Sequence, residues 1–158
     1  MTLIKLASGG HAIVDDEDVE RVSKHRWHLT GGYCATVMKT DGKWKRMLMH
    51  HFIIGKPPRR MVTDHANGNK LDNRRSNLRF ATHSQNAHNT YRHKSNTSGF
   101  KGVWWSSDAK CWMANINVRG IGIHLGKFNT AYEAHLAYRT KAKELLGEFA
   151  NDGFGPIA

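Results

Sequence analysis

The 158-residue sequence predicts an α+β protein assembled from small modules, on the strength of three patterns. Met61 to His65 is a short run closed by the turn-forming cluster Asn67-Gly68-Asn69, and Leu78-Arg79-Phe80-Ala81-Thr82 then alternates apolar and polar residues as a half-buried strand does. Toward the C-terminus, three strand-like runs precede Thr130-Ala131-Tyr132-Glu133, a capping-box pattern that opens a helix. Ahead of both, residues 27–37 and 44–50 read as strands around an Asp41-Gly42 turn.

In chain order, residues 1–58 form a strand-rich support region. Asp15-Asp16-Glu17-Asp18 ahead of Val19 and Val22 predicts a short helix, because carboxylates are favoured in a helix's first turn. His50 and His51 fall at a strand end, where two histidines are more often packing or surface residues; His50 is a candidate to approach a phosphate or support a metal ligand. Residues 59–95 form a second module, two strands followed by a helix over HSQNAHNTYRH with Thr82 or Ser84 as its cap.

Residues 96–151 form a third module, with residues 152–158 as a tail. Lys101-Gly102-Val103-Trp104-Trp105, residues 111–118 and residues 121–128 predict an antiparallel meander. The helix that follows carries Ala131, Ala134, Ala137, Tyr138, Ala142 and Leu145 on a small apolar face and stops at Gly147. Neighbouring Trp104 and Trp105 must face opposite sides of a strand, so one is expected buried and the other turned to solvent or ligand.

The formal charge of +11 points to a polyanionic partner. Its distribution is uneven: residues 1–58 carry nine Lys/Arg against six acids, residues 59–99 eight against two, and residues 100–158 seven against five. Arg59, Arg60, Arg74, Arg75, Arg79, Arg92 and Lys94, seven of those eight, are expected near the backbone of a bound polyanion. A charge run is often only a solvated face, and a membrane surface attracts one too, but no amphipathic anchor accompanies this one. No apolar run reaches the length of a membrane span and no signal-peptide core follows Met1, so the expectation is a soluble, intracellular protein. Cys34 and Cys111 lie far apart and form no CxxC pair, so no structural zinc built from thiolates is expected.

The chemistry concentrates in DHANGNKLDNRRSNLRFATHSQN, from Asp64 to Asn86. A carboxylate and asparagine amide oxygens among arginines suit a hard divalent cation, which takes oxygen ligands and completes its shell with water and substrate phosphate. His65, beside Asp64, is the residue type best suited to take a proton from water near neutral pH. Turn chemistry alone would also favour Asn, Asp and Gly here. An EF-hand fails, since Ala66, Gly68 and Arg75 stand at its third, fifth and twelfth positions.

This segment resembles the HNH nucleases, specifically the phage and intron homing endonucleases with an Asp-His, Asn, Asn motif. The resemblance implies a ββα-metal (His-Me finger) core in which Asp64 is the first metal ligand and His65 the general base. Asn77, twelve residues after His65, matches the Asn that orients the histidine, and Asn86, twenty-one after it, the second metal ligand, with His88 as the alternative. Mg²⁺ is the implied ion, with Mn²⁺ as a substitute, and the implied products are a 5′-phosphate and a 3′-hydroxyl.

The third module resembles the DNA-binding domain of plant ethylene-response factors (ERF), on the GV of its first strand, Trp112, Ala114 and Ile116, the LGxF from Leu125 to Phe128, and the alanine-rich helix. That resemblance implies a three-stranded sheet in the major groove of duplex DNA, with Lys101, Trp104, Asn115, Asn117 and His124 at or beside contacting positions. Asn pairs with adenine and Lys with guanine, although the plant residues differ at several of these places. Arg74, Arg75 and Arg79 are expected on the DNA backbone near the metal. The sequence thus predicts a metal-dependent homing-type DNA endonuclease, monomeric or homodimeric, in a phage-infected or intron-bearing host. A DNA-binding regulator with a vestigial core is the alternative, and an RNA binder would leave the metal constellation unexplained.

Overall fold

A computed structural model describes residues 1–91 and 95–153. Arg92 and Lys94, two of the expected backbone cations, and residues 154–158 of the tail lie outside the described residues. The chain divides into two compact units, Met1–Thr82 and His83–Ala158.

The first unit begins with a hairpin absent from the sequence expectation. Strands β1 (Thr2–Lys5) and β2 (His11–Val14) pair antiparallel with Thr2 opposite Val14. Helix α1 (Asp16–Ser23) follows with Asp16, Glu17 and Asp18 in its first turn, where carboxylates meet the positive end of the helix dipole. The run at residues 27–37 is not one strand: Gly31 and Gly32, at φ 58° and 83°, reverse the chain between β3 (His28–Thr30) and β4 (Tyr33–Thr40). Asp41 and Gly42, also at positive φ, turn β4 into β5 (Lys43–Leu48), the pairing an Asp-Gly turn favours. The expected strand over residues 44–50 stops at Leu48, and helix α2 (Met49–Ile54) carries His50 and His51.

Strands β6 (Met61–His65) and β7 (Leu78–Thr82) pair antiparallel, with Asp64 opposite Arg79 and His65 opposite Leu78. The loop of residues 66–77 between them is clamped to β2: Ile13 N donates to Leu71 O and Asn73 N to Ile13 O, both at 2.8 Å. One core joins β1, β2, α1, β4, α2 and β7, gathering Ile4, Val14, Val22, Trp27, Cys34, Met49 and Leu78. The N-terminal residues therefore support the β6–β7 pair by packing it from below and by holding its loop.

The second unit opens with the short helix α3 (His83–His88). Strands β8 (Val103–Ser106), β9 (Cys111–Val118) and β10 (Ile121–Phe128) form an antiparallel sheet in the order β10-β9-β8, as the meander pattern predicts. Helix α4 (Ala131–Leu146) covers one face. Its Thr130–Glu133 capping box satisfies both terminal donors, and Ala134, Tyr138 and Ala142 are buried against Val103, Ala114 and Ile116. Gly102, at φ 70°, is required by close approach: a Cβ there would stand 2.5 Å from the Tyr138 ring and 2.6 Å from Asn115 O.

Trp104 and Trp105 are both exposed, at 40% and 49%, so the expectation that one would be buried fails. Trp105 shares the helix-side face with Val103 but leans edge-on against Trp112 near the sheet's end, with ring centroids 5.3 Å apart.

Candidate active site

Asp64 and His65 close β6, and strand alternation points them to opposite sides. Both are nevertheless buried, at 5% and 4% exposure. Asp64 is engaged across the pair by Arg79, whose Nε donates to Oδ2 at 2.9 Å. His65 lies among aromatic rings: His50 from α2 meets it edge-on at 5.2 Å between centroids, and Tyr33 from β4 lies at 6.0 Å. His51 in turn contacts His50 at 4.5 Å. The three histidines come from two segments distant in sequence, and the helical placement of residues 49–54 is what brings His50 to His65.

Burial pushes the His65 imidazole below its ordinary value, against opposing pulls from the Asn73 carboxamide and the charges of Asp64 and Asp72. Burial likewise drives His50 down to about 3, reinforced by its histidine neighbours. Near neutral pH both rings are uncharged, and a neutral imidazole is the form that accepts a proton.

The loop between the strands is held from inside. Asn77 accepts from Asn67 N at 2.9 Å and donates through Nδ2 to Asp72 O at 2.7 Å, while its own carbonyl accepts from Ala66 N at 2.8 Å. Asn77 thus fixes both ends of the loop whose first residue follows His65. Asn73, fully buried and beside His65 and Cys34, is a site neighbour missed in the sequence, where it read as turn chemistry.

The arginines expected on a DNA backbone are engaged with carboxylates instead. Arg74 grips Asp72 with two bonds, at 2.8 and 2.6 Å, and holds its carboxyl below the usual range. Arg75 reaches Asp18 and Glu17 of α1, and Arg79 holds Asp64. Sequence alone gives no signal for the Arg75 pairing, because Asp18 lies 57 residues away.

Asn86, half-buried, and His88 lie on α3 in the second unit. His88 lines a cleft of ≈ 460 Å³ in that unit with Lys101, Asn115, Asn117, Arg119 and Tyr138. Lys101 departs from its expected place on a reading surface. Its ammonium donates to His88 O at 2.7 Å, Thr90 O at 2.8 Å and Asn151 O at 3.3 Å, and burial lowers it to about 8. The register puts Trp104, Asn115, Asn117 and His124 on the sheet face away from α4, with His124 opposite Asn115 and Lys127 opposite Met113. Lys127 is an exposed cation of that face with no counterpart among the residues the sequence singles out.

Among the described residues no three His, Cys, Asp or Glu side chains converge as metal ligands. The donor chemistry at Asp64 fits a hard divalent cation, which needs only one or two protein oxygens and takes the rest from water and phosphate.

A family model described as HNH endonuclease matches residues 48–88, the stretch that holds Asp64, His65, Asn77, Asn86, His50 and His88. A protein of Acanthamoeba polyphaga mimivirus described as an uncharacterized HNH endonuclease is 35% identical over 150 residues, covering 94% of this chain and 78% of its own length. The chain belongs to the HNH endonuclease family. Protein 3.8 of Escherichia phage T7 is 34% identical to this HNH endonuclease over 96 residues, which is 61% of the chain and 78% of the phage protein. No solved structure matches it. The matched stretch begins at residue 48, so it takes in α2 and His50 as well as the β6–β7 pair. As an HNH endonuclease the chain is a nuclease acting on DNA, and its family uses a divalent metal ion. Among the described residues, no helix is long and apolar enough to cross a membrane.

Proposed function

We propose that this HNH endonuclease is a homing-type enzyme that hydrolyses a phosphodiester bond in duplex DNA at His65, leaving a 5′-phosphate and a 3′-hydroxyl. The single observation that carries the reading is the buried His65 imidazole, pushed below its ordinary value by that burial, beside the Asp64 carboxylate at the end of β6, with the following loop pinned by Asn77. His65 takes a proton from water as its oxygen attacks phosphorus in line, and the bond from phosphorus to the 3′ oxygen breaks. The leaving oxygen collects a proton from solvent. Asn77 keeps the loop, and with it the His65 backbone, in one geometry.

Asp64 is the ligand for a divalent cation, Mg²⁺ by preference, and the sequence offers Asn86 or His88 as the second. When bound, such a cation stabilises charge on the phosphate and on the leaving oxygen. We assign the strand pair of a ββα-metal fold to β6–β7, and an ERF-like reading role to the second unit, supported by the three-stranded sheet whose open face carries Trp104, Asn115, Asn117 and His124. The test is His65→Ala, which should abolish cleavage and leave DNA retardation in gels nearly intact. Cleavage at the wild-type rate would remove His65 as the base.

A further inference from the structure

We propose that Lys70, set by the Tyr33 ring, binds the DNA phosphate at the His65 site. The inference deepens the nuclease reading and rests on it. Lys70 lies on the loop of residues 66–77 and is exposed. Its side chain crosses the tight turn before β4, where a Cβ on Gly32 would stand 3.5 Å from Lys70 Cδ and 3.8 Å from Nζ. The ammonium ends 4.3 Å from the centroid of the Tyr33 ring. That ring in turn borders His65 at 6.0 Å and His50 at 5.4 Å. Ammonium, phenol and imidazole thus form one contiguous row within the first unit, close enough that the Lys70 charge acts on His65.

Lys70 differs from the other cations that flank the site. Arg74, Arg75 and Arg79 are each bonded to a carboxylate, whereas among the described residues no carboxylate bonds Lys70. An ammonium resting on an aromatic face is held in place by the ring's quadrupole, yet it keeps its N–H donors for another acceptor. Lysine binds phosphate as a point charge, and a phosphate that gains negative charge during displacement gains most from a cation already in position. Tyr33 is the positioning residue, acting through Lys70.

The test is nicking of supercoiled plasmid by the full-length protein with Mg²⁺ over a range of salt concentrations. Lys70→Ala should lower kcat/KM by about tenfold or more and reduce the slope of log(kcat/KM) against log salt by about one, at an unchanged unfolding midpoint. Lys70→Arg should recover most of the loss. Tyr33→Leu should give a smaller loss that adds little to Lys70→Ala, because the two act as a unit. A wild-type rate and salt slope in Lys70→Ala overturns the proposal, and so does a loss that Lys70→Arg fails to recover. His65→Ala, run alongside, separates the two ideas: nicking by that variant at the wild-type rate overturns the nuclease reading itself, whatever Lys70 does.

Discussion

Arg79 donates its Nε to Asp64 Oδ2 at 2.9 Å, directly across the β6–β7 pair, with both side chains largely withdrawn from water. The proposed metal ligand is therefore oriented by a neighbouring strand rather than left to its own rotamers. Removing one partner of a buried ion pair costs about 3–5 kcal/mol, because the remaining charge keeps its desolvation penalty. Arg79→Ala should lower stability by that order in urea unfolding and raise the Mg²⁺ concentration needed for half-maximal cleavage. An unchanged midpoint and an unchanged Mg²⁺ titration would contradict this.

The histidine cluster predicts acid sensitivity. Burial lowers His65 and His51 and brings His50 to about 3, so the folded protein leaves these rings neutral where the unfolded chain protonates them near 6.5. The unfolded state then binds more protons, and stability falls as pH drops below about 6.5, by up to about 1.4 kcal/mol per pH unit for each fully differing histidine. For His50 the loss continues toward about 3. Urea midpoints between pH 7 and 4 should show the decline, and His50→Phe should flatten it; an equal slope in both proteins would exclude His50 as a source.

Lys101 should behave as a structural tie. Its three carbonyl acceptors span α3, the segment after it and the C-terminal end. Bonds from a charged donor contribute about 1.5–3 kcal/mol each, and part is recovered by water in a variant. Lys101→Met should destabilise the second unit by about 2 kcal/mol and leave the pattern of cut sites unchanged. A shifted cut-site map at full stability would restore it to the reading surface.

Asn117 and His124 should behave in the opposite way. Both are exposed on the sheet face away from α4 and take no part in the core. If the proposed reading role holds, Asn117→Ala and His124→Ala should each weaken discrimination at one base pair by about 1–3 kcal/mol, with the unfolding midpoint and the cleavage chemistry unchanged. Identical cut-site maps for wild type and both variants would remove the sheet face from recognition.

Much of the fold is legible in the sequence where the signal is local. The β6–β7 strands, the Asp41-Gly42 turn, the meander and the Thr130–Glu133 box all announce themselves through alternation, turn residues and capping. The misses share one cause, which is that tertiary partners decide them. The β1–β2 hairpin is too short for a periodic signal and is fixed by packing on Val22 and Trp27. The strand expected over residues 44–50 runs into a helix at Met49, where Met49 and Ile53 are buried on one side, which turns His50 toward His65. Arg75 and Arg79 carry no local sign that Asp18 and Asp64 hold them. One of Trp104 and Trp105 is expected in the core, but both are exposed, and Trp105 leans on Trp112 at the sheet's end.

Metal-dependent hydrolysis at His65 is read out by incubating supercoiled plasmid with the wild-type protein and with His65→Ala, in Mg²⁺ and in EDTA. Such hydrolysis gives open-circular or linear product only with the wild type in Mg²⁺; open-circular product alone means one strand is cut per encounter, and linear product means both. Product in EDTA, or equal product from His65→Ala, would contradict it.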